Sequence, residues 1–216
     1  MASTGIVEEF YETTDIVFEE KAGLVPITLR KLNDGLIWCE LLAPENFLIG
    51  KTVSVDILAS TISLTPDKII TNIHLPRVFS VGLPFLIAEL TDLSSLEEAS
   101  VNPEGFKKLV AQDITPYVNV YIRSDDEFDM LTQMFAPFEG MPEDPTTVSA
   151  NCALGVLLGS YDDAKSGNFE WKIAQGIEMG RAIILTVRTQ KKDGEVISMY
   201  IGGSSVMVSE GVIYYD

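Results

Sequence analysis

One stretch constrains the fold more than any other. Ala150, Ala153, Leu154, Leu157 and Leu158 follow the i, i+3, i+4, i+7, i+8 spacing of a helix, and Val156 closes much of the remaining circumference. A helix with so little polar surface has to be covered on most sides. Its approach is polar, reading Pro142-Glu143-Asp144-Pro145-Thr146-Thr147-Val148-Ser149. Asp144 and Pro145 read as N-cap and first helical residue, and Thr146, Thr147 and Ser149 place hydroxyls and free backbone N–H groups around the opening turn. From local pattern alone an Asp-Pro pair is a cap. A helix mouth of this kind is also an anion site, so both readings stand at this point.

Two segments are built alike. Near the start, a helical Ala2 to Tyr11 leads to Ile16 to Gly23, then Val25 to Arg30, an Asn33-Asp34-Gly35 turn and the strand Leu36 to Leu41. Near the end, the helix after Asp144 leads to Phe169 to Gly176, then Ala182 to Arg188, an Asp193-Gly194 turn and the strand Glu195 to Ile201. Asp-Gly between apolar strands is a strong hairpin signal, and it falls at the same place in both copies, which reads as an internal duplication. The second copy is preceded by about Thr71 to Phe138, with strands at Val78 to Val81, Phe85 to Leu90, Tyr117 to Ile122 and Met130 to Phe135 and a helix over Pro103 to Ala111. Only Met1 precedes the first copy, so symmetry predicts a first lobe lacking its front half.

Composition narrows the partners. With 15 Lys+Arg against 32 Asp+Glu the formal charge is −17, which opposes the cation-rich surface that phosphate backbones require, so neither nucleic acid nor an anionic membrane is expected. At 216 residues and 46% hydrophobic the chain suits one large domain or two small ones. No apolar run reaches the roughly 18 residues of a membrane span, and no basic-then-apolar leader opens the chain, so a cytoplasmic location is expected. Cys39 and Cys152 lack metal-ligand spacing and read as reduced packing thiols. The single histidine, His74, excludes a multi-histidine metal site and reads as a surface or satisfied structural residue, so no metal is expected. Met130, Met134 and Met141 read as core filling. Gln175 to Arg181 reads as a bend between strands, with Gly176 and Gly180 supplying the tight turn.

Glu143-Asp144-Pro145-Thr146-Thr147-Val148-Ser149-Ala150 resembles the Glu-Asp-Pro-x-Thr-Gly-Ser-Ala signature of the PhzF-like phenazine-biosynthesis family. Phe18 to Gly23, Val81-Gly82-Leu83-Pro84, and Gln175 to Arg181 followed by Gly202-Gly203 agree in order over nearly the whole chain. The resemblance implies an α+β, diaminopimelate epimerase-like fold: two pseudo-equivalent β-barrel-like lobes, each around a central helix, with the active site in the cleft between them. It implies a first lobe over 1–70, incomplete and joined by a last strand from Val206 to Tyr214 within 206–216, and a second lobe over 71–205. The chemistry it implies is cofactor-independent proton transfer on a small carboxylate. Asp144 matches the family's aspartate at the cleft, and Ser149 the serine that helps hold the substrate carboxylate, with Thr147 and Val148 beside it. Val148 stands where the family has glycine, a position where a branched residue is unsuited to a positive φ. The family's glutamate acid/base and its Gly-His pair lie upstream of the first central helix and have no counterpart in this sequence.

Two functions are compatible with these features. One is a PhzF-like isomerase or epimerase, with Asp144 as one proton-transfer group and impaired activity in this short form, since acid/base work needs a second group across the reacting carbon. The other is a non-catalytic relative that binds or self-assembles, because an open lobe leaves unpaired strand edges and apolar surface, and a homo-oligomer is expected on that ground.

Overall fold

The computed structural model describes residues 12–20, 23–43, 47–212 and 214. The expected helix Ala2 to Tyr11 lies outside them. Thirteen strands join in one mixed sheet: β1 (Thr13–Glu20), β2 (Gly23–Lys31), β3 (Ile37–Leu42), β4 (Phe47–Thr52), β5 (Ile69–Ile70), β6 (Arg77–Val81), β7 (Leu83–Leu90), β8 (Val118–Arg123), β9 (Met130–Ala136), β10 (Met141–Asp144), β11 (Gly167–Gln175), β12 (Ile183–Lys192) and β13 (Glu195–Ser205). Among the described residues four α-helices accompany them: α1 (Val55–Thr61), α2 (Leu93–Glu98), α3 (Pro103–Ala111) and α4 (Val148–Tyr161). The strand order is β1-β2-β3-β13-β12-β11-β9-β8-β7-β6-β4, with β10 on β9 and β5 on β7, so the described sheet is open, with β1 and β4 at its edges.

The duplication is visible in that order. Each repeat forms an antiparallel three-strand meander, β1-β2-β3 and β11-β12-β13, and the two meet through their last strands, with Leu41 opposite Ile201 and Leu42 opposite Tyr200. The two Asp-Gly turns differ in detail. Asp193 and Gly194 both have positive φ (52° and 90°), the type I′ pattern, whereas in the first turn only Gly35 does, and Asp34 Oδ1 accepts from the Leu36 N–H at 3.0 Å.

Helix α4 lies where its composition demands. Ala150, Ala153, Leu154 and Leu157 are fully buried in a core shared with β6, β7, β12 and β13. Gly155 marks the closest approach, since a Cβ there would run into Val187 and Met199. The other face of β7, β8 and β9 carries a second core against α1–α3, built from Leu58, Leu96, Phe106 and Leu109. In β7, Phe85 and Ile87 face α4 while Leu86 and Ala88 face the short helices, so the strand is apolar on both sides. Helix α3 takes the expected range, capped by Asn102, whose Oδ1 accepts from the Glu104 N–H at 3.1 Å.

Two expectations are corrected. Among the described residues, 206–212 and 214 are not in a strand: β13 ends at Ser205, and Val206, Val208 and Tyr214 are exposed. Met130 and Met134 are core residues, but Met141 is exposed on β10, which pairs only with β9. Residues 47–70 attach to strands later in the chain, with β4 paired to β6 and β5 to β7.

Candidate functional site

The mouth of α4 is assembled differently from the local pattern. Asp144 is the last residue of β10, held opposite Met134, and the N-cap is Thr147, so the helix begins at Val148 rather than at Pro145. The Asp144 carboxylate instead organises the connecting turn: Oδ1 accepts from the Thr146 N–H at 3.0 Å and Oδ2 from the Thr147 hydroxyl at 2.7 Å. Thr147 makes no side-chain capping bond to its own helix, which leaves the first-turn N–H groups without the usual hydroxyl acceptor. Val148 does not need the glycine of the signature, because it is the first helical residue and its φ is not positive.

Beneath this turn lies a buried polar cluster that the sequence reading missed. Gln175 Nε2 donates to the Asp144 carbonyl at 2.6 Å, and Gln175 Oε1 accepts from the Thr147 N–H at 3.2 Å and from Asn151 Nδ2 at 2.7 Å. Asn151 Nδ2 also donates to the Thr147 carbonyl at 3.0 Å, and Asn151 Oδ1 accepts from the Thr132 hydroxyl at 3.4 Å. Gln175 and Asn151 are almost fully buried. The available signal was Asn151 itself, an amide in an otherwise apolar helix, which must find partners. The next residue after Gln175, Gly176, turns the chain at φ 77°, and a Cβ there would stand 2.8 Å from the carbonyl oxygens of both Pro145 and Arg181. The Gln-Gly pair therefore braces the Asp-Pro segment, as well as supplying the expected bend.

Asp144, Thr146, Thr147, Val148, Ser149 and Cys152 face one cavity of about 510 Å³, closed on the far side by Leu41, Ala43 and Val81. All four sequence-predicted site residues are thus brought together. The Thr146 hydroxyl is buried there without a hydrogen-bond partner. Val148, Thr146 and Leu41 also border an adjoining apolar groove of about 790 Å³ along the β3–β13 seam, with Trp38 and Ile183 in its walls. Burial pushes the Cys152 thiol up to about 12, so it is a neutral packing group at the cavity wall. Burial, then the charge of Glu178, raises the Glu143 carboxyl above its ordinary range. Among the described residues no lysine or arginine lines the cavity, so a bound anion would rely there on backbone N–H groups and hydroxyls. Among the described residues no group of three or more His, Cys, Asp or Glu could hold a metal ion, and no helix is long and apolar enough to cross a membrane.

A mixed sheet wrapped on a buried helix, with a carboxylate at the helix mouth inside a cavity, defines the class to which this chain belongs. The family described as phenazine biosynthesis-like protein, PhzC-PhzF, matches residues 1–211, and the chain belongs to that family. An uncharacterized isomerase of Mesorhizobium japonicum is 24% identical over 204 residues, covering 92% of this chain and 67% of the relative. The crystal structure of a phenazine biosynthesis protein of the PhzF family from Bacillus anthracis superposes with a TM-score of 0.83 at 22% identity, covering 99% of this chain and 72% of that one. A hydroxyproline epimerase from Agrobacterium vitis, solved with bound trans-4-hydroxy-L-proline, shares the fold at a TM-score of 0.54 and 16% identity, over 93% of this chain and 59% of that one.

Proposed function

We propose that this chain is an isomerase or epimerase that moves a proton on a small carboxylate without a cofactor, with Asp144 as a proton-transfer group. The observation that carries the reading is the shared cavity: Asp144, Thr146 and the residues at the uncapped start of α4, Thr147, Val148 and Ser149, all line it. The substrate carboxylate sits against the N–H groups of Val148 and Ser149 and the Ser149 hydroxyl, where the helix end favours negative charge. Asp144, oriented by Thr146 and Thr147, removes the proton from the adjacent carbon, while Thr147 fixes its position. The complementary acid comes from across the cavity; among the described residues there, Leu41, Ala43 and Val81 carry none, which supports impaired turnover by this chain alone. The family resemblance supports two barrel-like lobes, and the pairing of β4 and β5 with β6 and β7 favours a division nearer the β3–β4 junction than residue 70. The open edges β1 and β4 support a homo-oligomer, and the acidic composition fits a cytoplasmic protein.

The test is α-proton exchange in deuterium oxide with proline, trans-4-hydroxy-L-proline and related cyclic carboxylates. Slow exchange that Asp144→Asn lowers by roughly 10²–10⁴-fold is expected, the usual contribution of one acid/base group. Exchange unaffected by that substitution would remove Asp144 from the chemistry.

A further inference from the structure

At the opposite end of α4 a second polar cluster takes no part in this chemistry. His74 is 4% exposed, its ring tilted against Tyr161 at 5.4 Å between centroids. His74 Nδ1 lies 3.0 Å from the Leu75 carbonyl and Nε2 lies 2.8 Å from the Tyr121 hydroxyl. That hydroxyl is also 3.0 Å from Glu89 Oε2, and Glu89 Oε1 accepts from Arg123 Nε at 3.0 Å. Tyr121 and Glu89 are both buried.

These contacts can be counted in protons. A carbonyl only accepts, so Nδ1 carries a proton. The tyrosine hydroxyl has one proton to give, and burial together with the Glu89 charge raises the Tyr121 pKa and keeps the hydroxyl intact. If that proton goes to His74 Nε2, the contact with Glu89 needs a proton on the carboxyl. If it goes to Glu89, Nε2 must donate and the ring is an imidazolium. Either arrangement holds one proton more than a neutral histidine beside an ionised glutamate. Without it, two acceptors compete for one hydroxyl proton inside the core, and one contact leaves a buried acceptor unsatisfied.

We propose that the His74–Tyr121–Glu89 chain retains one shared proton above neutral pH and acts as a pH-sensitive latch. It ties the segment carrying His74 to β7 and β8 beneath the C-terminal end of α4, and it opens on the alkaline side. Burial pushes the His74 imidazole below its ordinary value, while the Leu75 carbonyl and the Glu89 carboxylate favour the charged ring and Arg123 opposes it. Among the described residues, the charged and titratable groups facing the latch are Glu89 from β7, Tyr121 and Arg123 from β8, and Tyr161, Asp162 and Asp163 from the end of α4, with Arg77 of β6 donating to the Tyr161 hydroxyl at 3.3 Å. Loss of the proton frees one wall of the cavity of about 190 Å³ that His74 shares with Arg123, Tyr161 and Trp171.

The chain has a single histidine, so a long-range ¹⁵N–¹H spectrum of uniformly labelled protein reports His74 alone. The spectrum is recorded at a pH about one unit above the ordinary histidine value of about 6.5. Two outcomes support the latch: an imidazolium, or a neutral Nδ1–H ring beside a protonated Glu89, the carboxyl being read by ¹³C and assigned with Glu89→Gln. A neutral ring beside an ionised Glu89 in folded protein overturns it. In Glu89→Gln the amide donates to Tyr121 without titrating, so His74 is expected neutral and its alkaline transition lost. Where the wild-type ring is an imidazolium, an unchanged His74 titration in that variant overturns the proposal; where it is neutral, a protonated-carboxyl ¹³C signal that persists in that variant, and so is not that of Glu89, overturns it. Tyr121→Phe should uncouple the two groups, and if that variant does not fold, the isosteric Glu89→Gln still decides.

Discussion

Gln175→Leu is the sharpest perturbation of the candidate site, because it removes the amide while keeping much of its volume. Two backbone groups lose a side-chain partner, the buried Thr147 N–H and the part-buried Asp144 carbonyl, and Asn151 Nδ2 loses one of its two acceptors. Each buried polar group left unsatisfied costs about 1–3 kcal/mol, and the apolar replacement returns about 1 kcal/mol, so two such groups give a net loss of about 1–5 kcal/mol, centred near 3. Urea denaturation should show the midpoint falling with m unchanged, and the melting temperature should drop by roughly 5–15 °C. Gln175→Glu separates hydrogen bonding from packing. It sets an oxygen that cannot donate 2.6 Å from the Asp144 carbonyl. The introduced carboxyl is favoured in its protonated form in the fold, so its folded pKa is raised above the ordinary value of about 4.3. Its stabilising contribution is then complete below that value and lost as pH rises through the folded one. Acid should therefore rescue Gln175→Glu relative to Gln175→Leu. A loss below about 1 kcal/mol for Gln175→Leu, or no acid rescue of Gln175→Glu, would refute the claim that this amide holds the Asp144 turn together.

Gly176→Ala should cost about 2–4 kcal/mol, because a positive φ disfavours a Cβ by about 1–2 kcal/mol and the added atom meets two carbonyl oxygens; equilibrium unfolding checks it, and a near-neutral result would mean the Pro145 segment yields freely. Glu143→Gln should stabilise the fold at neutral pH and leave it unchanged at low pH. The Glu143 carboxyl is raised by burial and Glu178, so the wild type is favoured below the ordinary carboxylate value and loses that advantage as pH rises through the folded one; melting temperature against pH reads it.

The central helix and the polar character of its mouth were legible because both are periodic or compositional facts about a short window. The starting residue of the helix was not. Asp144-Pro145 followed by hydroxyl residues describes an N-cap and equally a strand end followed by a side-chain-bonded turn, and the two are separated only by the pairing of Asp144 with Met134, a contact between segments. The same limit hid Gln175, whose importance lies entirely in partners 24 to 31 positions away. It also produced the expected strand after Val206, where the residues suit a strand but pair with none of the described strands. Helices α1 and α2 went unread because seven and six residues give too little periodicity, although Ser54 and Asp92 each cap their helix through a side-chain oxygen.

The repeat carried further than any motif, because it constrains topology rather than a single position. Two copies of one meander can share a continuous sheet through like strands, and here the like strands are the last of each, β3 and β13. That junction brings Leu41 and Ala43 of the first repeat over the helix mouth of the second, so the cavity holding Asp144 and Ser149 is lined by both copies. A cavity at such a seam depends on the register of β3 against β13. A one-residue slip would turn Leu41 to the outer face and put Glu40, now paired with Arg188 at 2.7 Å, against the apolar wall. The Glu40–Arg188 pair on the outer face and the Leu41–Ile201 contact on the inner one therefore fix the same register from opposite sides, and the geometry of the site rests on both.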